Sequence, residues 1–248
     1  MILYPFSWWC TLFLPLRIKL VLTALLALAV ISPARVEWWY YAGNFEQTPF
    51  PGRLSALPVV QSVDMDGNNL PEILRLVGGQ AQLLENSQAV WQSPPDWRVG
   101  QAAYTDLDHD GQTELALLVW RQFKPWLIDR FLPYGGRIDS FHDSGGQSCH
   151  LILIGWKLDA YRELWAGSPL ADPLQSFYAA DLDGDGFQEL AALEGRYDDP
   201  PGAPAWSLSV WDWNSFGFSL AERLQGPVTD FQPLLPSAGG TFLLVQRP

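Results

Sequence analysis

Short apolar runs broken by acidic loops recur along the chain. "VVQSVDMDGNNLPEILRL" begins at Val59, "QAAYTDLDHDGQTELALLVW" at Gln101 and "FYAADLDGDGFQELAALEG" at Phe177. Each reads as a short apolar stretch, an acidic loop and a second apolar stretch, which predicts strand, turn, strand. The loops open at Asp64, Asp106 and Asp181, intervals of 42 and 75 residues. The longer interval suggests a hidden copy. "SGGQSCHLILIGW", from Ser144, aligns with "HDGQTELALLVW" once one residue is inserted, and keeps the apolar run without the carboxylates. "DFQPLLPSAGGTFLLVQ", from Asp230, is a further trace. Upstream, Trp91 precedes Asp106 by 15 residues and Trp165 precedes Asp181 by 16.

One repeat therefore predicts four strands: an inner strand, the acidic loop, a second, a third, and a fourth bearing the tryptophan. About 40 residues in four strands is the size of one propeller blade. The expected fold is an all-β propeller of four-stranded blades. Residues 36–248 leave room for about five. The last copy stops after "FQPLL" and "TFLLV", and "VEWWYYAGN" with "GRLSAL" can supply its missing two strands. Pairing N- and C-terminal strands in one blade would close the ring and remove open sheet edges.

Composition agrees with this reading. The 248 residues are 48% hydrophobic and 17% charged, with 13 Trp, 21 Gly and 20 Pro. Abundant aromatics and turn residues suit many short strands. A formal charge of −12 argues against nucleic acid and anionic membrane surfaces as partners. The first residues stand apart. Arg17 and Lys19 precede the uncharged run Leu20–Ile31, and the small residues Ser32 and Ala34 follow. Residues 1–34 read as a secretory signal or a retained membrane anchor, and residues 35–248 as the propeller domain. Charges ahead of the apolar run place the bulk of the chain outside the cytoplasm, either secreted or anchored to the outer face of the cytoplasmic membrane. Cys10 lies in the leader, so Cys149 has no intrachain disulfide partner once the leader is removed. An extracytoplasmic chain without disulfides needs other staples, and metal ions can serve.

The loops supply candidate ligands. Positions 1, 3 and 5 are Asp64, Asp66 and Asn68 in the first loop, Asp106, Asp108 and Asp110 in the second, and Asp181, Asp183 and Asp185 in the third. Position 9 is Glu72, Glu114 or Glu189. Alternate residues of a tight turn can aim oxygens into one hole, and calcium takes about 6–8 oxygens, some from backbone carbonyls. Position 7, held by Leu70, Gln112 and Phe187, varies in side chain and is the expected carbonyl donor. Position 6 is Gly111, Gly186 or Asn69, as a turn with positive φ requires. A helix-flanked calcium loop needs a glutamate at position 12, where this chain has Arg75, Leu117 and Ala192. Zinc lacks a Cys/His cluster. The competing reading is a solvated Asp-Gly turn. Three loops with the glutamate in step favour an ion in each, about three structural calcium ions in all.

These segments resemble the FG-GAP and VCBS repeats of integrin-α-like β-propellers, whose loop runs Asp-x-Asp-x-Asp-Gly-x-x-Asp. The resemblance rests on three loops and extends over most of residues 36–248. It implies a propeller with calcium between the first two strands of a blade, and roles in adhesion and extracellular binding. Two departures stand out: position 9 is Glu throughout, and the Ser144 copy has no ligands.

Catalytic signals are weak. Cys149 and His150 are neighbours on a predicted strand, so they face opposite sides; a buried Cys and a surface His are expected. His109 is expected to point to solvent, and His142 to lie in a turn. The chain is expected not to be an enzyme. Two surface features invite partners: the cationic aromatic stretch Trp120–Arg137, with Arg121, Lys124, Arg130 and Arg137, and the loop "YDDPPGAPAW" from Tyr197. The expected function is an extracytoplasmic calcium-binding module for protein interaction, adhesion or scaffolding. A glycan-binding lectin is the alternative, and a carbohydrate-active enzyme working in the central funnel comes after that. The partner would be an extracellular protein or glycan.

Overall fold

The computed structural model describes residues 34–124, 131, 141–235 and 241–248. The leader reading lies outside the described residues. Arg35–Pro248 forms one compact unit. It is all-β, and its four antiparallel sheets are the four blades of a propeller. Blade 1 contains β4 (Ser62–Val63), β5 (Glu72–Val77), β6 (Gln80–Glu85) and β7 (Gln88–Gln92). Blade 2 contains β8 (Arg98–Thr105), β9 (Glu114–Gln122), β10 (Gln147–Trp156) and β11 (Tyr161–Ala166). Blade 3 contains β12 (Leu174–Ala180), β13 (Glu189–Glu194), β14 (Ala205–Trp213) and β15 (Phe218–Val228). Blade 4 joins β16 (Asp230–Leu235) and β17 (Thr241–Arg247) to β1 (Arg35–Tyr41) and β2 (Phe45–Thr48).

Closure by chain ends is present: β1 pairs with β17 from Arg35↔Arg247 to Tyr41↔Thr241. One detail differs from expectation. In "GRLSAL", the strand β3 (Ser55–Ala56) pairs with β16 at the opposite edge, and β2 takes the outer place.

The blade count also differs. Four sheets are present among the described residues, not five. The apparent copy at Ser144 is the third strand of blade 2, because β10 pairs directly with β9 through Leu151↔Leu118 and its neighbours. The two segments look alike because adjacent strands of one buried sheet carry the same apolar run. Residues 123–146 separate the two strands in sequence and lengthen the 75-residue interval. Trp91 and Trp165 do fall on fourth strands, β7 and β11.

The cores lie between blades. Along β9, Leu115, Leu117 and Val119 join Leu83, Trp97 and Val99 in the core between blades 1 and 2. Ala116 and Leu118, on the other face, join Leu153, Phe177 and Leu190 between blades 2 and 3. The alternation is that of a strand buried on both faces. A third core, with Leu193, Val210, Phe231 and Leu243, joins blades 3 and 4. First strands meet across the ring: Gln101 Nε2 donates to the Phe177 carbonyl at 2.6 Å, and Phe177 N–H donates to Gln101 Oε1 at 3.0 Å.

Candidate metal centre

Each acidic loop joins the first and second strands of its blade. Position 2 anchors it: Met65, Leu107 and Leu182 are buried, and their flanking aspartates are therefore turned outward. Beneath lies the position-9 glutamate, which opens the second strand. Glu72, Glu114 and Glu189 are 0%, 1% and 5% exposed. Each accepts the position-2 N–H: Met65 to Glu72 at 2.8 Å, Leu107 to Glu114 at 2.7 Å and Leu182 to Glu189 at 2.6 Å. Thr105 Oγ1 also donates to Glu114, at 2.8 Å.

The turn holds itself in shape. Position 1 accepts loop N–H groups, with Asn69 to Asp64 at 2.8 Å, Gly111 to Asp106 at 3.3 Å and Gly186 to Asp181 at 3.1 Å. Position 3 accepts the position-5 N–H in every loop, and position 5 accepts the position-7 N–H. Positions 4 and 6 both lie at positive φ: Gly67 and Asn69, His109 and Gly111, Gly184 and Gly186. The sequence pattern exposed position 6 only, because His109 at φ 60° interrupts the glycines at position 4.

This framework brings three carboxylates together in each blade. Asp64, Asp66 and Glu72 offer oxygens within 4.8 Å of one another, as do Asp106, Asp108 and Glu114, and Asp181, Asp183 and Glu189. Asp110 and Asp185 stand outside these triads, and Asn68, Asp110 and Asp185 each accept the position-7 N–H with one oxygen. Leu70 and Phe187 have no side-chain oxygen, so a ligand from position 7 of loops 1 and 3 is the backbone carbonyl. Burial pushes the Glu114 and Glu189 carboxyls up to about 7, the neighbouring aspartates adding to it. Burial, then Asp110, raises Asp108.

The donor set fits a hard divalent cation. Glu72 Oε1 is buried with the Tyr161 hydroxyl as its neighbour, and Glu114 Oε2 is buried and has no hydrogen-bond partner. A carboxylate oxygen left so is costly, and a cation removes the cost. The triads could hold such an ion, with oxygen ligands only.

Two acidic groups escaped the sequence reading. Glu85 follows the pair Ile73↔Leu84, and its Oε2 accepts from Asn68 Nδ2 at 2.5 Å. Asp212 follows Leu190↔Trp211, and burial with the charges of Asp183 and Asp185 raises its pKa. Blade 2 has Gly155 in that place, after Leu115↔Ile154. The hairpins differ in length, so no constant spacing marks these residues.

His109 does not point to solvent. Its Nε2 lies 2.9 Å from the Gln188 carbonyl and its ring 4.8 Å from that of Phe187, while Asp106 N–H donates to Gln188 Oε1 at 3.0 Å. Loops 2 and 3 are thereby tied. Tyr104 ties blade 2 to loop 1 by donating to the Glu72 carbonyl at 2.7 Å.

His150 is buried, not on the surface, and its partner is Ser148, whose Oγ is 2.9 Å from Nε2. Its Nδ1 donates to the Gly167 carbonyl at 3.0 Å. Cys149, on the opposite face, is buried, and burial pushes its thiol up to about 12, far from a nucleophile's range. His142 lies beside the turn, with Nδ1 2.7 Å from the Asp143 carbonyl. Of the cationic stretch, Arg121 packs over the Trp97 ring at 5.6 Å. Arg130 and Arg137 lie outside the described residues. No protein-family model and no curated protein matches this chain.

Proposed function

We propose that the chain is an extracytoplasmic, calcium-stabilised propeller of the FG-GAP and VCBS type, serving as a module for protein interaction, adhesion or scaffolding. The observation that supports it is the thrice-repeated carboxylate triad with a buried glutamate, of which Glu114 keeps an oxygen without a donor. In this reading one calcium ion sits in each loop. Asp64, Asp66 and Glu72, Asp106, Asp108 and Glu114, and Asp181, Asp183 and Glu189 hold it. Asn68, Asp110 and Asp185 complete the rim, with the carbonyls of Leu70, Gln112 and Phe187. Calcium is favoured over magnesium because so many protein oxygens are offered. The ions are structural: they cancel the repulsion that the loop creates and pin the first two strands of a blade. Interaction is the favoured role because a rigid ring of sheets presents broad surfaces, and the negative charge selects neutral or cationic partners.

Calorimetric titration of chelator-stripped protein with calcium is expected to give about three sites, with magnesium binding far more weakly. Absence of calcium binding would sink the metal reading. Labelling of intact cells with a membrane-impermeant amine reagent tests location; protection of the chain until lysis would place it inside.

A further inference from the structure

A cavity of about 450 Å³ opens between blades 2 and 3. Its walls are aromatic: Trp165 from β11, Trp211 from β14, and Phe216 and Phe218 from the β14–β15 turn and β15. The Trp165 ring is held rigidly. Its Nε1 donates to the Phe216 carbonyl at 2.9 Å, and a side chain at Gly167 would meet the ring at 2.8 Å. Phe216, at the rim, is 88% exposed, an uncommon place for a phenyl ring.

The same walls carry two carboxyl groups, Asp172 and Glu194, and one guanidinium, Arg223. Arg223 is already committed. Its Nη2 is 2.8 Å from Glu194 Oε2, its Nε donates to Ser209 Oγ at 2.9 Å, and its plane covers the Trp206 ring at 4.7 Å. Ser207 Oγ gives Glu194 a further donor at 2.7 Å. Glu194 is therefore matched by an ion pair, and the cavity lining holds one acid, Asp172, more than its single guanidinium. Burial and then the Glu194 charge raise its pKa, against the Arg223 charge, a hydrogen bond from the Trp206 indole and the Arg196 charge, which lower it. Arg196, which acts on it weakly, is exposed and lines a separate cavity.

We propose that this cavity binds a small organic amine with an apolar or aromatic body, its ammonium on Asp172 and its body between Trp165, Trp211 and Phe216. Cavities of roughly 300–1,000 Å³ with apolar walls and a few placed polar groups are the usual form of small-molecule sites. Aromatic faces and an acid together favour a cation over a neutral or anionic molecule of equal shape. The −12 formal charge of the chain draws cations towards it. None of the loop carboxylates lines the cavity, so binding of an amine there is read separately from binding of calcium in the loops.

The test is titration of the full chain with phenethylamine, 2-phenylethanol and 3-phenylpropanoate, read by calorimetry and tryptophan fluorescence. The amine is expected to bind about tenfold more tightly than the alcohol, a difference of about 1.4 kcal/mol, and the acid not at all. Asp172→Asn is expected to erase the amine's advantage and leave alcohol binding unchanged. Ala171→Phe, which fills the mouth from an exposed position, is expected to abolish binding of both while circular dichroism stays native. Equal affinity for amine and alcohol, no binding of the amine in the millimolar range, or full amine binding in either folded variant would overturn the proposal.

Discussion

Blades 1 and 3 carry the same acidic loop on different sheets. In blade 3, every residue of β13 is buried, with one face against blade 2 and the other against blade 4. In blade 1, Leu83 packs towards blade 2, but Ile73 and Val77 on β5 are 50% and 57% exposed. No apolar core joins blades 4 and 1 among the described residues. Yet the triads and the glutamate-to-position-2 bond are alike in both loops. Loop geometry is thus a local product of Asp, Gly and Glu spacing and does not depend on how deeply the sheet is packed. An ion in blade 1 must then carry a larger share of that blade's stability.

Chelation is the strongest way to break this comparison. Three sites, each at a calcium concentration about 100 times its Kd, add about 8 kcal/mol together. Calorimetry with and without chelator should show the thermal midpoint falling by about 15 °C or more. Hydrogen exchange should show β5 amides losing protection before those of β13; simultaneous loss would show that packing does not set the order.

Core truncation comes next. Leu193→Ala in β13 should cost about 2–5 kcal/mol in urea unfolding. Ile73→Ala on the uncovered face of β5 should cost less than about 1 kcal/mol. Similar costs would mean that the β5 face is covered in solution.

The glutamates give a sign test. Glu114 and Glu189, raised from an ordinary 4.5 to about 7, keep protons in the folded chain that the unfolded chain has already lost. The stability these two groups contribute without calcium should therefore be fully present below about 4.5 and be lost as pH rises through 7. Glu114→Gln should flatten that fall and raise the midpoint in chelator, yet lower it in calcium, where the lost charge weakens the ion's site. Thermal melts at pH 5 and pH 8 check both.

The smallest effects concern the extra acids. Glu85→Gln and Asp212→Asn should weaken calcium in loops 1 and 3 by a few-fold, about 1 kcal/mol or less, since each lies at the margin of its triad. Loop 2, with Gly155 in that place, should keep its affinity. Site-resolved NMR titration distinguishes them.

Much was legible in the chain alone. Loop, second strand and fourth-strand tryptophan each recur at fixed short distances, and such local order survives folding because hairpins are built from neighbours in sequence. The strand β9 was legible as an apolar run, while its two separate cores were not. The blade count was not. β9 and β10 look like two repeats because both are buried on both faces, and only their direct pairing across residues 123–146 makes them one sheet. Glu85, Asp212 and the His109–Gln188 tie were hidden too, since hairpins of unequal length and a blade boundary bring them together.

The sequence by itself determined the acidic turns, the positive φ at their sixth position and the strands they join, because these depend on residues within one hairpin of each other. Tertiary structure alone decided how many sheets those strands make, which carboxylate oxygen loses every donor, and where Asp172, Trp165 and Phe216 meet around a cavity. Those outcomes depend on burial between blades, which is a property of chain segments far apart in sequence.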